Sequence, residues 1–323
     1  MPRSMAQEQD ILKLPPPRKR PRLTARRIGI HTSVAGGAAN AAERAYRLGC
    51  NTLQIFSSSP RQWKPWQLSA AECERMRALR ERYGLSPLVI HVNYLVNLAG
   101  ANAEFYTRSV EAFRGEVERA LALGAEFLVL HPGSFRGSSR EAGVARVVEG
   151  IARATGGLEM GPLRILMENT AGAEFSLGGS FEQVAELVER LRAVAPVAAC
   201  IDTCHTHVAG YDIVSEDGWR KTLARLQATV GLDNVAVWHM NDAQAERGSR
   251  LDRHQHVGQG TIGLAAFRRL LNDPRLHHAA FIAETPIDRP GDDRRNVARL
   301  KSLVKEEGKR GAAAKTARRQ HHG

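Results

Sequence analysis

The chain has 323 residues, 43% hydrophobic and 25% charged, which is enough to build a barrel domain of roughly 250 residues. It contains no run of about 18 apolar residues, which excludes a transmembrane helix, and no signal peptide is visible. Four cysteines without a CxxC pair exclude a disulfide scaffold and favour a reducing, intracellular compartment.

The net charge of +12 lies almost wholly at the two ends of the chain. Residues 1–27 carry eight basic and two acidic residues, and residues 301–323 carry seven and two. Their Pro-rich or charge-rich composition predicts disordered basic tails over 1–27 and 305–323. The body between them is nearly neutral, so a polyanion site there requires local clustering or metal ions.

Between the tails, eight short β-type runs alternate with helical stretches. The runs are IGIHTS (28–33), TLQIF (52–56), LVIHV (88–92), FLVLHPG (127–133), RILMENT (164–170), AACIDTCH (198–205), VAVWHMND (235–242) and AAFIAET (279–285). Helical patterns fill the gaps, for example 104–124 and 180–194, the second with Ser180 as its N-cap. This alternation predicts one α/β domain, a TIM-type (β/α)8 barrel over 28–304. An open doubly wound sheet is the alternative, but no GxGxxG sequence follows the first run.

Nearly every run ends in a side chain that can bind a metal ion. The set comprises His91, His131, Glu168, Asp202, His205, His239 and Glu284 at the run ends, with Asp252 and His254 in the loop after the seventh run. The carboxyl ends of barrel strands share one mouth, so these side chains should converge there. Four gathered carboxylates repel one another unless cations neutralise them. Nitrogen and oxygen ligands favour zinc or manganese, and nine ligands exceed the needs of one ion.

Each of these residues taken alone has an ordinary structural explanation. A histidine at a strand end is often a hydrogen-bonded core residue, and an aspartate or glutamate there commonly caps the next helix. Their joint occurrence at six successive strand ends favours the metal interpretation. His31, His207 and His256 lie near these positions, and we expect them to support ligands at most.

These residues and the segments around them resemble the endonuclease IV family of apurinic/apyrimidinic-site repair nucleases. The segments are IGIHTSVAGG (28–37), FSSSPRQW (56–63), HVNYLVNLA (91–99), HPGS (131–134), ENTAG (168–172), CIDTCHTHVAGYD (200–212), HMNDA (239–243), GSRLDRHQHVGQG (248–260) and the Glu284–Thr285 pair. The resemblance runs from about residue 28 to 300. The CIDTCH segment and the RLDRH loop together separate the chain from a generic sugar isomerase.

The resemblance implies three zinc ions per chain at the barrel mouth, with manganese as an alternative ion at some sites. The three implied ligand sets are His91, His131 and Glu168; Glu168, Asp202, His239 and Glu284; and His205, Asp252 and His254. Asp252 and His254 are two residues apart in an extended loop, so they project from the same side and suit a single ion.

The implied reaction is hydrolysis of the phosphodiester 5′ to an abasic site in duplex DNA. It leaves a 3′-hydroxyl and a 5′-deoxyribose phosphate, and the family also removes blocking groups from 3′ ends. Glu168 and Glu284 are the implied catalytic residues. We expect Glu284 to orient or deprotonate the attacking water.

Four residues are predicted to bind DNA, namely Arg61, Lys64, Tyr94 and Arg253. The resemblance makes Arg61 and Tyr94 the candidates for a wedge at the vacated base position, whereas Trp63 is expected to pack against the barrel rim. The implied partners are double-stranded DNA with abasic sites or blocked 3′ ends, and the implied state is a monomer without membrane association.

Two other functions fit parts of the pattern. A metal-dependent sugar isomerase or epimerase uses the same barrel but needs neither the third ligand set nor the cationic, aromatic loop at 57–66. A DNA-binding protein without catalysis would lack a ligand, and none is missing. The expected location is the cytoplasm with access to the nucleoid, or the nucleus if RKRPR at 18–22 acts as a targeting signal.

Overall fold

Eight parallel strands of four to six residues form the wall of a barrel. The computed structural model describes residues 10–59, 62–63 and 67–305. The barrel strands are β1 (Arg27–Ile30), β2 (Leu53–Phe56), β3 (Leu88–His91), β4 (Phe127–Leu130), β5 (Arg164–Glu168), β6 (Val197–Asp202), β7 (Val235–His239) and β10 (Ala280–Ala283). A two-stranded antiparallel hairpin, β8 (Asp242–Ala243) with β9 (His254–Gln255), projects from the loop after β7.

The helices lie outside the strands. They are α1 (Ala38–Leu48), α2 (Ala70–Tyr83), α3 (Ala103–Leu123), α4 (Arg140–Thr155), α5 (Phe181–Leu191), α6 (Thr203–Val208), α7 (Glu216–Thr229), α8 (Gly263–Leu271) and α9 (Asp292–Leu303). Ser180 caps α5 as predicted, because its side chain accepts a hydrogen bond from the backbone N–H of Gln183. Within the described residues, no helix is both long and apolar enough to cross a bilayer.

The strand order is β1, β10, β7, β6, β5, β4, β3, β2, and the two end strands meet to close the ring. The closing bonds run from Asn51 N to Ile28 O at 3.1 Å and from Thr32 N to Gln54 O at 2.9 Å. All eight predicted strands are present in the predicted order, so the (β/α)8 barrel is confirmed. The open-sheet alternative is wrong, since β1 and β2 contact each other.

Two apolar layers stabilise this wall. The larger layer lies between strands and helices, where Phe113, Phe181 and Phe267 are buried. A smaller cluster of mostly short side chains fills the barrel interior, namely Val89, Val129, Leu166, Ala198, Cys200, Ala236, Val237, Ala280 and Ile282. Side chains point alternately inward and outward along each strand, and both faces of the wall are buried, so the residues at the carboxyl ends of the strands line the mouth.

Residues 10–27, part of the predicted N-terminal tail, lie against the outside of the barrel. Arg44 of α1 is 5% exposed and binds the Asp10 carboxylate through two guanidinium nitrogens. The same guanidinium donates to Ser33 O and Ala35 O, both at 2.9 Å, in the loop after β1. The chain then continues past the end of α1, where Arg47 donates to Leu14 O at 2.8 Å. Residues 1–9 and 306–323 of the predicted tails lie outside the described residues.

Replacing Asp10 with alanine should lower the free energy of unfolding by about 1–2 kcal/mol, because it leaves the buried Arg44 guanidinium without its carboxylate. The hydrogen bond from Arg44 lowers the pKa of Asp10 below its ordinary value of 3.8. A carboxylate with a lowered pKa in the folded state stabilises above its unfolded pKa, so wild type and variant should converge as the pH falls below 3.8. Thermal and urea unfolding measure both effects.

The exposed Asp233, in the turn before β7, provides the control, since its replacement with alanine should change stability by less than about 0.5 kcal/mol. Equal effects of the two substitutions would show that the Asp10–Arg44 contact does not stabilise the barrel.

Candidate metal centre

The nine histidines and carboxylates singled out by the sequence all lie at the mouth. His91, Glu168, Asp202 and His239 are the last residues of β3, β5, β6 and β7. His131 and Glu284 directly follow β4 and β10, His205 lies in α6, and Asp252 and His254 belong to the hairpin loop. The structure gathers them into three groups whose ligand atoms lie within 4.8 Å of one another: His91, His131 and Glu168; Glu168, Asp202, His239 and Glu284; His205, Asp252 and His254.

Glu168 occupies the centre of this arrangement and is completely buried. Its Oε2 lies 3.2 Å from His91 Nε2 and 3.0 Å from His131 Nε2. Its other oxygen, Oε1, lies 2.8 Å from His239 Nδ1, which is also 3.1 Å from Glu284 Oε2. One carboxylate therefore belongs to both of the first two groups, with one oxygen facing each.

The third group is the most open to solvent. His205 Nε2 lies 3.2 Å from Asp252 Oδ2, and His254 Nε2 lies 3.3 Å from Asp252 Oδ1. The Asp252 side chain is 50% exposed, whereas His205 is 3% exposed. His254 Nε2 also lies 3.7 Å from Asp202 Oδ2, so this group adjoins the second one.

In three of the histidines, a hydrogen bond to the backbone fixes which ring nitrogen faces the cluster. The Nδ1 atoms of His91, His205 and His254 lie 2.7, 2.9 and 3.1 Å from the backbone carbonyls of Val92, Asn169 and Glu284, respectively. A carbonyl only accepts, so each Nδ1 must carry the proton, and Nε2 is left to face the carboxylates. Metal-binding histidines are oriented in this way, through a hydrogen bond from the second nitrogen.

Two amides that sequence reasoning missed hold the second group in place. Gln54 of β2 accepts from His239 Nε2 at 2.8 Å and donates to Glu284 Oε1. Asn241 donates to Asp202 Oδ2, and its own Oδ1 accepts from Glu284 N at 2.8 Å. The available signal was polarity alone: Gln54 interrupts the apolar run TLQIF, and Asn241 lies two residues after His239.

The charged groups of the mouth shift one another's protonation. Burial alone would raise the pKa of Glu168, but His239 and His131 hold that pKa well below its ordinary range. Burial opposes a charge on His205, yet Asp202 and Asp252 raise its pKa to about 10. Asp252 is likewise opposed by burial, and the His205 hydrogen bond lowers its pKa to about 2. The cluster thus stabilises positive charge among its carboxylates, and a divalent cation provides such charge.

The donor atoms fit metal ions. His254 Nε2 is buried and has no hydrogen-bond partner, although it faces the oxygens of Asp252 and Asp202. A buried polar atom without a partner is costly in a folded protein, and a bound cation removes this cost. Two thiols also adjoin the clusters, since Cys200 lies with Glu168 and His239, and Cys204 lies with Asp202 and His254.

The three remaining histidines of interest have different surroundings. His31 Nδ1 lies 3.0 Å from Gln54 Nε2 and 3.7 Å from Glu284 Oε1, so it supports a predicted ligand. His207 instead lies against Thr261 Oγ1 at 3.2 Å, and His256 faces Asp288 at 3.3 Å. These two contact the loops around the hairpin.

The predicted DNA-binding residues are placed only in part. Tyr94 is 61% exposed at the mouth, and its ring packs edge-on against Phe56. Arg253 is exposed and donates to Asp252 O at 2.8 Å. Trp63 packs between Phe105 and the Arg108 guanidinium, as expected of a rim residue. Arg61 and Lys64 lie outside the described residues.

A buried carboxylate, Glu116 of α3, joins the two loops that carry these residues. It is completely buried and accepts hydrogen bonds from the hydroxyls of Ser57 and Ser58, at the start of the loop after β2. It also accepts from Asn93 Nδ2 at 3.2 Å, in the turn that presents Tyr94, and pairs with Arg119 at 3.1 Å. Four donors thus satisfy both oxygens.

Comparison with known proteins identifies a protein family and curated relatives that are similar to this chain. Residues 42–305 match the family model described as a Xylose isomerase-like TIM barrel. The chain is 49% identical to the Probable endonuclease 4 of Solibacter usitatus over 280 residues, covering 86% of this chain and 97% of the relative. It is 42% identical to the Probable endonuclease 4 of Chloroflexus aurantiacus, covering 86% and 98% of the two chains.

Solved structures show two kinds of similarity. The crystal structure of endonuclease IV from Thermus thermophilus matches with a TM-score of 0.77 and 42% identity, covering 86% of this chain and 98% of that one. A D-tagatose 3-epimerase-like protein matches with a TM-score of 0.63 but 18% identity, covering 86% and 96%. The second similarity therefore shows the fold alone.

Replacing Glu116 with glutamine should weaken binding of duplex DNA that contains an abasic analogue, by about tenfold in Kd, or about 1.4 kcal/mol. Arg119 and Asn93 would then face a neutral amide, and the two loops would lose their common anchor. Fluorescence anisotropy measures Kd, and elemental analysis should show unchanged metal content.

Glu118 provides a matched control on the same helix, because it is 53% exposed and its ion pair in the described part of the chain is with Arg114, one turn away. Its replacement with glutamine should leave Kd unchanged. If both variants weaken binding equally, Glu116 does not position the loops.

Proposed function

Because the chain belongs to the endonuclease IV family, we propose that it hydrolyses the phosphodiester 5′ to abasic sites in duplex DNA, leaving a 3′-hydroxyl and a 5′-deoxyribose phosphate. Its relatives identify it as a DNA-cleaving hydrolase, an AP endonuclease. Removal of blocking groups from 3′ ends is part of the same proposal, since it breaks the same kind of bond.

The grouping of the mouth residues is the observation that carries this proposal. Within each of three sets, nitrogen and oxygen atoms lie within 4.8 Å of one another, and the first two sets share Glu168, so the arrangement suits three divalent ions. We propose zinc for all three, with manganese as the alternative. Such ions, when bound, would activate water and neutralise the charge that develops on a phosphate.

The chain's own residues position these groups before a substrate arrives. Gln54 and Asn241 hold Glu284, and β5 holds Glu168 at the point shared by two sets. Glu284 Oε2 is 3.1 Å from His239 Nδ1 and its side chain is 15% exposed, so this carboxylate borders the open part of the mouth. It is therefore suited to orient an attacking water and to receive its proton.

Binding to damaged DNA is proposed to use the residues around the rim. The exposed Tyr94 ring, supported from one side by Phe56, is suited to occupy the space of a missing base. Arg253 and, from the sequence, Arg61 and Lys64 would contact phosphates. An abasic nucleotide is held by no base pair, so moving it into the mouth costs less than moving an intact one.

The sugar isomerase alternative has weaker support. The epimerase-like structures share the barrel at under 20% identity, whereas the endonuclease relatives reach 49%. A small-sugar enzyme also has no use for the third ligand set, in which the Asp252 side chain is 50% exposed. The monomeric state and the cytoplasmic location remain predictions, and the bacterial relatives give no support to a nuclear signal at residues 18–22.

The direct test is incision of a duplex oligonucleotide with one abasic analogue, without added magnesium, on protein whose metal content is measured. We expect a cut on the 5′ side, a product that comigrates with a 3′-hydroxyl marker, and two to three metal ions per chain. A chelator should abolish cleavage, and zinc should restore it. Protein with full metal content that leaves the strand intact would contradict the nuclease proposal and favour a small-sugar substrate.

Replacing Glu284 with glutamine should lower the incision rate at saturating DNA by about 100-fold or more, the usual contribution of a general base. Asp288, a 68% exposed carboxylate four residues later, serves as the control, since its replacement with asparagine should leave the rate unchanged. A Glu284 variant with full metal content and a near-normal rate would remove Glu284 from proton transfer. If rate and metal content fall together, its role is ligation.

A further inference from the structure

A cationic surface lies at the base of the barrel, at the opposite end from the metal centre. Its first part is the segment Arg18, Lys19 and Arg20, all exposed and, among the described residues, without an ion-pair partner. This segment is held at both sides, because Leu14 O accepts from Arg47 and Pro21 lies beside Gly49 at the end of α1.

The second part of this basal surface is a groove of about 460 Å³ between residues 22–25 and α9. Among the described residues, its charged lining residues are Arg22, Arg294, Lys301 and Lys305, and no described carboxylate lines it. Lys301 Nζ donates to Arg22 O and, at 2.8 Å, to Gly49 O, which joins the groove to the segment before it. Partial burial lowers the pKa of Lys301, and a nearby anion would favour its charged form.

The location of this surface separates it from the active mouth. The strands begin at the base and end at the mouth, and the helices return along the outside. At 1.5 Å per residue, α1 and α9 each place roughly 17 Å between the two ends. A straight duplex lying across the mouth therefore cannot also lie along the base.

The sequence that follows Lys305, the last described residue of this surface, carries further charge. The C-terminal segment that continues from Lys305 contains five more basic and two acidic residues. The body of the protein is nearly neutral, so most of the net positive charge of the chain lies in its two terminal segments. Residues 18–22 precede the part of the chain that matches the family model, which begins at residue 42. Arg294, Lys301 and Lys305 lie within the matched part, so the surface joins matched and unmatched segments of the chain.

We propose that the basal surface binds the phosphate backbone of a second segment of duplex DNA, independently of the duplex at the mouth. A row of cations without carboxylates, on a surface with a groove, is suited to phosphates and not to base edges, so binding should not depend on sequence. Holding one segment at the base keeps the mouth free to engage damage on another.

The test counts undamaged 15-bp duplexes bound per chain, by native mass spectrometry and by titration at low salt. Wild-type protein should bind two, and a variant with Arg18, Lys19, Arg20 and Lys305 changed to alanine should bind one. On the wild type, the binding constant of the second, weaker site should fall with a slope of about 3.6 in log K against log salt if all four cations contact phosphates, and the variant should lack this step. Thermal unfolding checks that the variant is folded.

The matched control removes the same charge elsewhere on the barrel, by changing the exposed Arg75, Arg153, Arg190 and Arg220 to alanine. It should still bind two duplexes. A single duplex on the wild type that the basal variant still binds, or equal losses in both variants, would overturn the proposal. So would a surface that prefers anionic vesicles or single-stranded RNA to the duplex. The duplex is undamaged, so the count needs no incision and rests on the proposed function only in that the mouth binds one of the two duplexes. If the wild type binds one duplex and the basal variant binds none, DNA binding at the mouth fails and the basal site stands.

Discussion

The burial of Glu168 among imidazoles is the constraint on which the rest of the mouth depends. A carboxylate with no access to water is stable only when positive charge or hydrogen-bond donors surround it. Strand β5 lies between the strands that carry His131 and Asp202, so its last residue is the one position from which a single side chain reaches both flanks. Its two oxygens then set the separation between the first two ligand groups. The ligands His91, Asp202 and His239 follow from the parallel strands, which bring their own last residues to the same height.

The imidazole rings must also be oriented, and backbone carbonyls orient three of them. Imidazoles turn freely about their side-chain bonds, but carbonyls next to the mouth hold the Nδ1 atoms of three histidines. Because these carbonyls belong to Val92, Asn169 and Glu284, the residues just after three strands, the same geometry that gathers the ligands also fixes their tautomers. His239 is turned the other way, and the side chain of Gln54 accepts a hydrogen bond from its Nε2. The mouth is thus organised before any substrate binds, which is what lowers the cost of reaching a transition state.

How much of this the sequence predicts depends on the range of the interaction. Strand positions and the convergence of the nine ligands follow from local patterns together with barrel geometry, and both could be read in advance. Gln54 and Glu116 could not, because each acts through partners on other elements: Gln54 through His239, 185 residues away, and Glu116 through Ser58, 58 residues away. The segment 10–27 is another case in which a distant partner decides the structure. Its composition predicts disorder, yet the pair formed by Asp10 and Arg44, 34 residues apart, places it on the barrel.

The third ligand group shows how the fold combines precision with access. Arg250 adopts a left-handed φ of 59°, which is costly for a side chain of this kind, two residues before the half-exposed Asp252. The cost is offset by hydrogen bonds from Arg250 N to Val208 O and from Gly248 N to His207 O, both at the end of α6. That helix also carries His205, the buried member of the same group. The short helix α6 therefore holds both His205 and the loop that carries Asp252. The exposed edge of the third ligand group can then face a large polymer without losing its geometry.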